Sequence, residues 1–189
     1  MTKNYWQGKN IRLRAFEDGD VARLVKARNM FNNENQWFYD KLLLPDSEAG
    51  VKAACSELLA SQKKDDKYFF IIETLDGQFA GQVEVWHTRQ HEGVFKYGIQ
   101  IEDAHKGNGY ATEALVIVLD YYFNELNYQK CSPTAYEFNP RSQAFHEKFG
   151  FTREGVLRNE VYTRGRYYSM ICYGMLKDEF NALYKHFPQ

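Results

Sequence analysis

The chain has 189 residues, 44% of them hydrophobic and 26% charged, the make-up of one globular domain spanning residues 1–189 with a sizeable core. A net charge of -1 argues against a nucleic-acid partner held by bulk electrostatics, because phosphate binding needs a basic surface. Cys55, Cys131 and Cys172 are odd in number and form no C-x-x-C pair, which disfavours a disulfide framework or a zinc site, and the absence of an apolar leader or membrane-length run points to the cytoplasm, with no membrane partner.

In chain order, residues 10–16 alternate Ile11, Leu13 and Ala15 against Arg12 and Arg14, predicting a first strand with one wet face. Glu17, Asp18, Gly19 and Asp20 supply N-cap candidates for a helix carrying Val21, Leu24 and Val25. Residues 32–45 gather Trp37, Phe38 and Tyr39 among polar side chains; the segment is either a helical loop covering the core or a wall of an acceptor site. Asp46 or Ser47 can cap a second helix bearing Val51, Ala54, Cys55, Leu58 and Leu59, which frays into the charged run at 63–66. Residues 68–74 and 78–87 read as strands meeting at Leu75-Asp76-Gly77, a hairpin signal, with Gln82, Glu84 and Trp86 on one face of the second strand.

The most informative stretch follows. Residues 94–101 place Phe95, Tyr97, Ile99 and Ile101 on one face and Lys96, Gly98 and Gln100 on the other, the period of a strand. From Ala111 the period changes: Ala111, Ala114, Leu115, Val118, Leu119, Tyr122, Phe123 and Leu126 recur at three and four, predicting a helix of four turns. Between them lies the turn Lys106-Gly107-Asn108-Gly109-Tyr110-Ala111-Thr112. Its two glycines can take backbone angles closed to other residues, and the first-turn amides of the helix beyond have no partners within that helix. Such amides, at the positive end of a helix, attract a phosphate or pyrophosphate. Neither a P-loop, which needs Gly-Lys-Ser/Thr, nor the G-x-G-x-x-G fingerprint is present.

Downstream, residues 129–136 read as a strand despite Pro133, which cannot donate to a ladder and so disfavours a central, fully paired position. NPRSQAFHEKFGF, residues 139–151, is a short helix with Asn139 able to cap, Pro140 in the first turn and Gly150 at the stop. Asn139, Ser142 and His146 fall on one polar stripe at spacings of three and four. Residues 155–163 and 167–176 form a closing hairpin across Arg164-Gly165-Arg166, followed by a C-terminal helix at 178–187.

Two of these segments carry a family resemblance. AHKGNGYATEAL resembles the acyl-CoA-binding motif of the GNAT superfamily of N-acetyltransferases, Arg/Gln-x-x-Gly-x-Gly/Ala, here Lys106-x-x-Gly109-x-Ala111. NPRSQAFHEKFGF is similar to the family's NPxSxxxxEKxGF segment, and the opening IRLRAFEDGD resembles the branch holding ribosomal-protein and polyamine acetyltransferases. The resemblance implies an α/β fold with a mixed, mostly antiparallel sheet flanked by helices, whose fourth and fifth strands splay apart around the pantetheine arm. It implies acetyl-CoA as cosubstrate, bound by residues 106–112, by Ile99, Gln100 and Ile101 on the fourth strand, and by Asn139 and Ser142. An amide near Ile99 or Gln100 would polarise the thioester. Glu84 stands where similar enzymes carry a general base, its bland alternative being a carboxylate that faces solvent or pairs with a lysine, and Glu160 in the closing hairpin is a second, weaker candidate. His146 stands where many relatives have a tyrosine that protonates the departing thiolate, its bland alternative being a histidine on the rim of a short helix; Ser142 or water is then the donor.

The expected activity is acetyl transfer to a primary amine, a protein N-terminus or a small polyamine-like molecule, by direct attack and without a metal. His87 and His91 are four apart but fall at a strand end and in a loop, where that spacing does not converge on an ion. The competing classes are an acyl-CoA-binding sensor without turnover and an interaction protein such as a homodimer.

Overall fold

In the computed structural model, which describes residues 4–23, 47–61, 66–163 and 165–185, the first half of the chain builds an antiparallel ladder. β1 (Ile11–Ala15) pairs with β2 (Tyr68–Thr74), β2 with β3 (Phe79–Arg89), and β3 with β4 (Val94–Ile101). The β2–β3 turn closes as its Leu-Asp-Gly sequence dictates: Gly77 takes φ +86, and Gly77 N donates to Thr74 O at 2.9 Å. β2 is buried on both faces, from Phe69 to Thr74, because each face of the ladder is covered.

One face carries Phe69 and Ile71, packed with Phe16 against Val51 and Cys55 of helix α1 (Glu48–Ser61). Ser47 caps that helix, its Oγ accepting from Gly50 N at 3.0 Å. The other face carries Ile11, Leu13, Phe70, Ile72, Val83, Val85, Phe95 and Tyr97 in the main core, under helix α2 (Tyr110–Asp120). Residues 114–119 of α2 are buried on every side, so the helix is more deeply set than a single apolar face implies. After Asp120 it widens into a π-helical turn, Tyr121–Glu125, rather than continuing regularly to Leu126. The first strand's wet face is only partly wet: Arg14 is drawn in, with Nε 2.8 Å from Glu73 and one terminal nitrogen 2.8 Å from Asp20.

The second half is irregular at the expected place. Residues 129–136 do not make one strand but two, β5 (Lys130–Cys131) and β6 (Thr134–Tyr136), interrupted at Ser132-Pro133. Both pair along the same edge of β8 (Arg166–Leu176), and β7 (Thr152–Thr163) takes the other edge. The proline costs the strand its continuity, because Pro133 has no amide to donate while its carbonyl still accepts from Tyr173 N at 3.0 Å. The strand order is β1-β2-β3-β4-β5-β8-β6, with β7 beside β8, eight strands in a mixed, mostly antiparallel open sheet. Helix α3 (Pro140–Phe149) runs between β6 and β7, and α4 (Lys177–Tyr184) packs Phe180 into the main core. Leu24, Val25 and the aromatic segment Trp37-Phe38-Tyr39 lie outside the described residues.

Candidate active site

The opening between β4 and β5 is written in the pairing. The two strands are parallel neighbours over only Val94↔Lys130 and Phe95↔Cys131, and the last link between them is Ser132 N donating to Phe95 O at 2.8 Å. Beyond it β6 follows β8, and β4 continues without a β5 partner along residues 96–101. Backbone groups of alternate residues in a strand point to the same edge. Phe95 O faces β5, while Glu102 N donates to Ala80 O on the β3 side. Tyr97, Ile99 and Ile101 therefore aim their amides and carbonyls into the opening, and Gln100 aims its backbone at β3. Of the two amides that the sequence offers for polarising a thioester, the register turns Ile99 toward the opening and Gln100 away from it.

At one end of this opening stands the glycine turn. A short helical turn, Asp103–His105, leads into it. Gly107 and Gly109 take φ +86 and +80, left-handed conformations that cost glycine little. A Cβ placed on either would meet no atom of the described residues within 4 Å, so among these residues the turn's surface is open. Gly109 is the N-cap of α2 and no side chain among the described residues caps that helix, so the amides of Tyr110, Ala111 and Thr112 lie at its positive end without such a partner. Lys106 ion-pairs with Asp103, and Asn108 Nδ2 donates to His105 O at 3.3 Å, which braces the turn from below. Free amides at a helix start are able to take an anionic group such as a pyrophosphate.

Helix α3 flanks the opening from the β6 side, and its ends form as the residues require. Asn139 Oδ1 accepts from Ser142 N at 3.0 Å, Pro140 occupies the first turn, and Gly150 ends the helix at φ +106. The polar stripe, however, does not run along an exposed rim. His146 is 5% exposed, stacked on Tyr173 at 4.9 Å between centroids and packed near Phe151 and Tyr97. Its Nδ1 donates to Ser142 O at 2.7 Å, which leaves the lone pair of the neutral ring on Nε2. Burial pushes its pKa below the ordinary histidine range, the Ser142 carbonyl pulling the other way. Donation from Nε2 therefore requires an imidazolium that this pocket disfavours. Ser142 is half-buried, its Oγ 3.5 Å from the same Nδ1.

Glu84 faces the opposite side of the sheet. It lies across from Gly98 of β4 and Phe69 of β2, on the face that α1 covers. Sequence reading passed over the reason for Gly98: a Cβ there would stand 2.6 Å from the Trp86 ring and 3.6 Å from Glu84 Oε1. Carboxylate and indole thus converge over the strand that borders the opening. A glycine in mid-strand was the available signal. Glu160 is elsewhere: it is exposed in the bulge of β7 between Leu157 and Val161, and β8 separates it from the opening. Among the described residues no His, Cys, Asp or Glu cluster could hold a metal, and no helix is long and apolar enough to cross a membrane.

A splayed sheet, an open glycine turn at a helix start and a capped helix beyond it are the features that comparison with known proteins bears on. The Acetyltransferase (GNAT) domain family matches residues 10–152. The chain belongs to the GNAT acetyltransferase family. Its relatives include an uncharacterized N-acetyltransferase derived from the SPbeta prophage of Bacillus subtilis, 34% identical over 180 residues, 95% of this chain and 97% of that protein. The spermidine N(1)-acetyltransferase of Escherichia coli K12 is 26% identical over 176 residues, 93% of this chain and 91% of that one. Among solved structures, the spermidine N-acetyltransferase of Vibrio cholerae in complex with CoA and spermine superposes with a TM-score of 0.79 at 24% identity, covering 90% of this chain and 97% of that one. The GNAT chain described here shares that fold, and its class of chemistry is N-acetyl transfer.

Proposed function

We propose that this acetyltransferase moves the acetyl group of acetyl-CoA to the primary amine of a small, polyamine-like acceptor by direct attack on the thioester. The observation that carries the reading is the opening along residues 96–101 of β4, with the glycine turn at its end and Glu84 across from Gly98 on the other face. The backbone of residues 106–112 holds the pyrophosphate, the free edge at Ile99 and Ile101 hydrogen-bonds the pantetheine arm, and Asn139 and Ser142 line the far wall.

The proposed steps are these. The amine nitrogen forms a bond to the thioester carbon, whose oxygen the Ile99 amide polarises as charge develops. Glu84 takes the proton that the nitrogen must lose, and Ser142 or water returns one to the departing sulfur. A thiol with a pKa near 8.5 is a tolerable leaving group even unprotonated, so the departing group demands less help than the amine does. A lysine-like amine with pKa near 10.4 is roughly 3.4 units from its neutral form at neutral pH, about 4.6 kcal/mol, whereas an α-amino group near 8 needs only about 1.4 kcal/mol. A carboxylate beside the indole of Trp86 suits the first case, and relatives named spermidine acetyltransferases support it.

The test is release of CoA thiol from acetyl-CoA across a panel of spermidine, spermine, amino sugars and peptides with free N-termini. Polyamine-dependent release with little turnover of peptides is the expected outcome. Thermal stabilisation by CoA without release for any amine would instead favour a sensor.

A further inference from the structure

Three buried polar atoms among the described residues have no hydrogen-bond partner: Tyr97 Oη, His146 Nε2 and Tyr136 Oη. Such atoms are uncommon, because stranding a buried polar group costs about 1–3 kcal/mol. Tyr136 belongs to a ring stacked on Phe138. The other two belong together. The Tyr97 and His146 rings lie 5.8 Å apart between centroids at 42°, and each residue is only 5% exposed. Their chemistry is complementary. With Nδ1 donating to the Ser142 carbonyl, His146 presents Nε2 as an acceptor, and a buried tyrosine hydroxyl is a donor. The other tyrosine against the imidazole, Tyr173, has its hydroxyl committed to Glu147 at 3.2 Å.

We propose that Tyr97 is a positioning residue whose hydroxyl is linked to His146 Nε2 through one buried water, donating to that water as the water donates to Nε2, and so clasps β4 to α3 across the opening. The location gives the contact its consequence. Tyr97 is two residues beyond Phe95, where the last hydrogen bond between β4 and the β5 segment ends, and its own backbone faces the opening. His146 is one helical turn from Ser142 and bonded to its carbonyl. The path Ser142 carbonyl, imidazole, water, Tyr97 hydroxyl therefore joins the two walls where the backbone ladder no longer does. The clasp fixes their separation, and with it the fit of the acyl-CoA arm, a consequence that rests on the proposed cosubstrate; the contact itself does not.

The test has a spectroscopic arm and a kinetic arm. In 15N-labelled protein, long-range proton–nitrogen spectra report which imidazole nitrogen carries the proton and whether the other accepts a hydrogen bond. The chain has five histidines, and His146→Gln assigns the signal. The expected wild-type pattern is a protonated Nδ1 and an Nε2 shifted as a hydrogen-bonded acceptor, returning to the free-acceptor position in Tyr97→Phe. The same variant should raise the KM for acetyl-CoA about two- to tenfold, the worth of one ordinary hydrogen bond, with kcat nearly unchanged. A protonated Nε2, or an Nε2 signal that ignores Tyr97→Phe and moves only when CoA is added, overturns the contact and turns His146 toward the cofactor. An Nε2 signal that moves in Tyr97→Phe with no rise in KM overturns the clasp's role. Neither result touches the acetyltransferase reading, which would fail only if the wild type released no CoA with any amine.

Discussion

The two segments that flank the β4 opening are built by different means. The turn at residues 106–112 is exposed at Gly107, Asn108 and Gly109, and what it presents is backbone: two left-handed glycines, a helix start that no described side chain caps and no described atom where a glycine Cβ would stand. Helix α3 presents side chains that are themselves held from inside, His146 on Tyr173, Phe149 on Tyr184 and Phe151, Asn139 on the Ser142 amide. A backbone site depends on conformation and tolerates little added bulk; a side-chain site depends on packing and degrades by degrees. Substitutions in the first should therefore strike ligand binding, and those in the second should spread their effect over stability and fit.

The largest expected effect breaks the turn. Gly109→Val places a β-branched residue at φ +80 and a side chain on the open surface of the turn, and should weaken CoA binding by about 1,000-fold, roughly 4 kcal/mol. Its stability should fall by only about 1–3 kcal/mol for the strained backbone. Isothermal titration and denaturant unfolding on one preparation separate the two losses; unchanged CoA affinity in a folded variant would show that the pyrophosphate lies elsewhere.

The chemistry proposed for the opposite face comes next. Glu84→Gln should lower kcat/KM about 100-fold for a polyamine and about tenfold or less for a peptide N-terminus, with CoA affinity untouched. Equal, negligible losses on both amines would take Glu84 out of the reaction. Helix α3 should respond more mildly. Asn139→Ala removes the cap on Ser142 N and should cost about 1 kcal/mol, a drop in Tm of roughly 2–4 °C, with a modest loss of CoA affinity. A collapse of CoA binding in that variant, comparable to Gly109→Val, would erase the contrast between the segments.

The smallest effect is a pH dependence. Burial holds the His146 pKa below the ordinary 6.5, so the unfolded chain binds that proton more readily than the folded one. The contribution is complete above about pH 6.5, where neither state is protonated, and is lost as pH falls from there toward the folded value. Between about pH 7 and pH 5.5 the wild type should lose more unfolding free energy than His146→Gln; parallel curves would mean that the imidazole is as easily protonated folded as unfolded. Further acidification bears on a different region. Burial pushes the Glu73 and Asp20 carboxylates up, but hydrogen bonds from Arg14, with Arg12 on Glu73 and the Glu17 amide on Asp20, outweigh it and hold both below their usual values. Their stabilisation is present above the unfolded carboxylate range and is lost below it, in a window the histidine does not share.

Much of this protein follows from local rules. The glycines at 107 and 109 suit the left-handed turn they form, the three- and four-residue spacing after Ala111 makes α2, and Asn139, Pro140 and Gly150 bound α3 where they stand. Each depends on residues within a few positions of one another, so the primary sequence suffices, as it does for the turn proposed to hold the phosphates. What the tertiary structure alone decided is long-range. That Pro133 divides one strand into two and opens β4 depends on β8, whose edge serves both halves. That His146 is buried rather than set on a rim depends on Tyr97 and Tyr173, which approach from strands distant in sequence. That Gly98 makes room for Trp86 beside Glu84 depends on the β3–β4 register. Periodicity tells which face of an element is apolar, and only the packed sheet decides which apolar face meets which, and so where a polar atom is stranded among them.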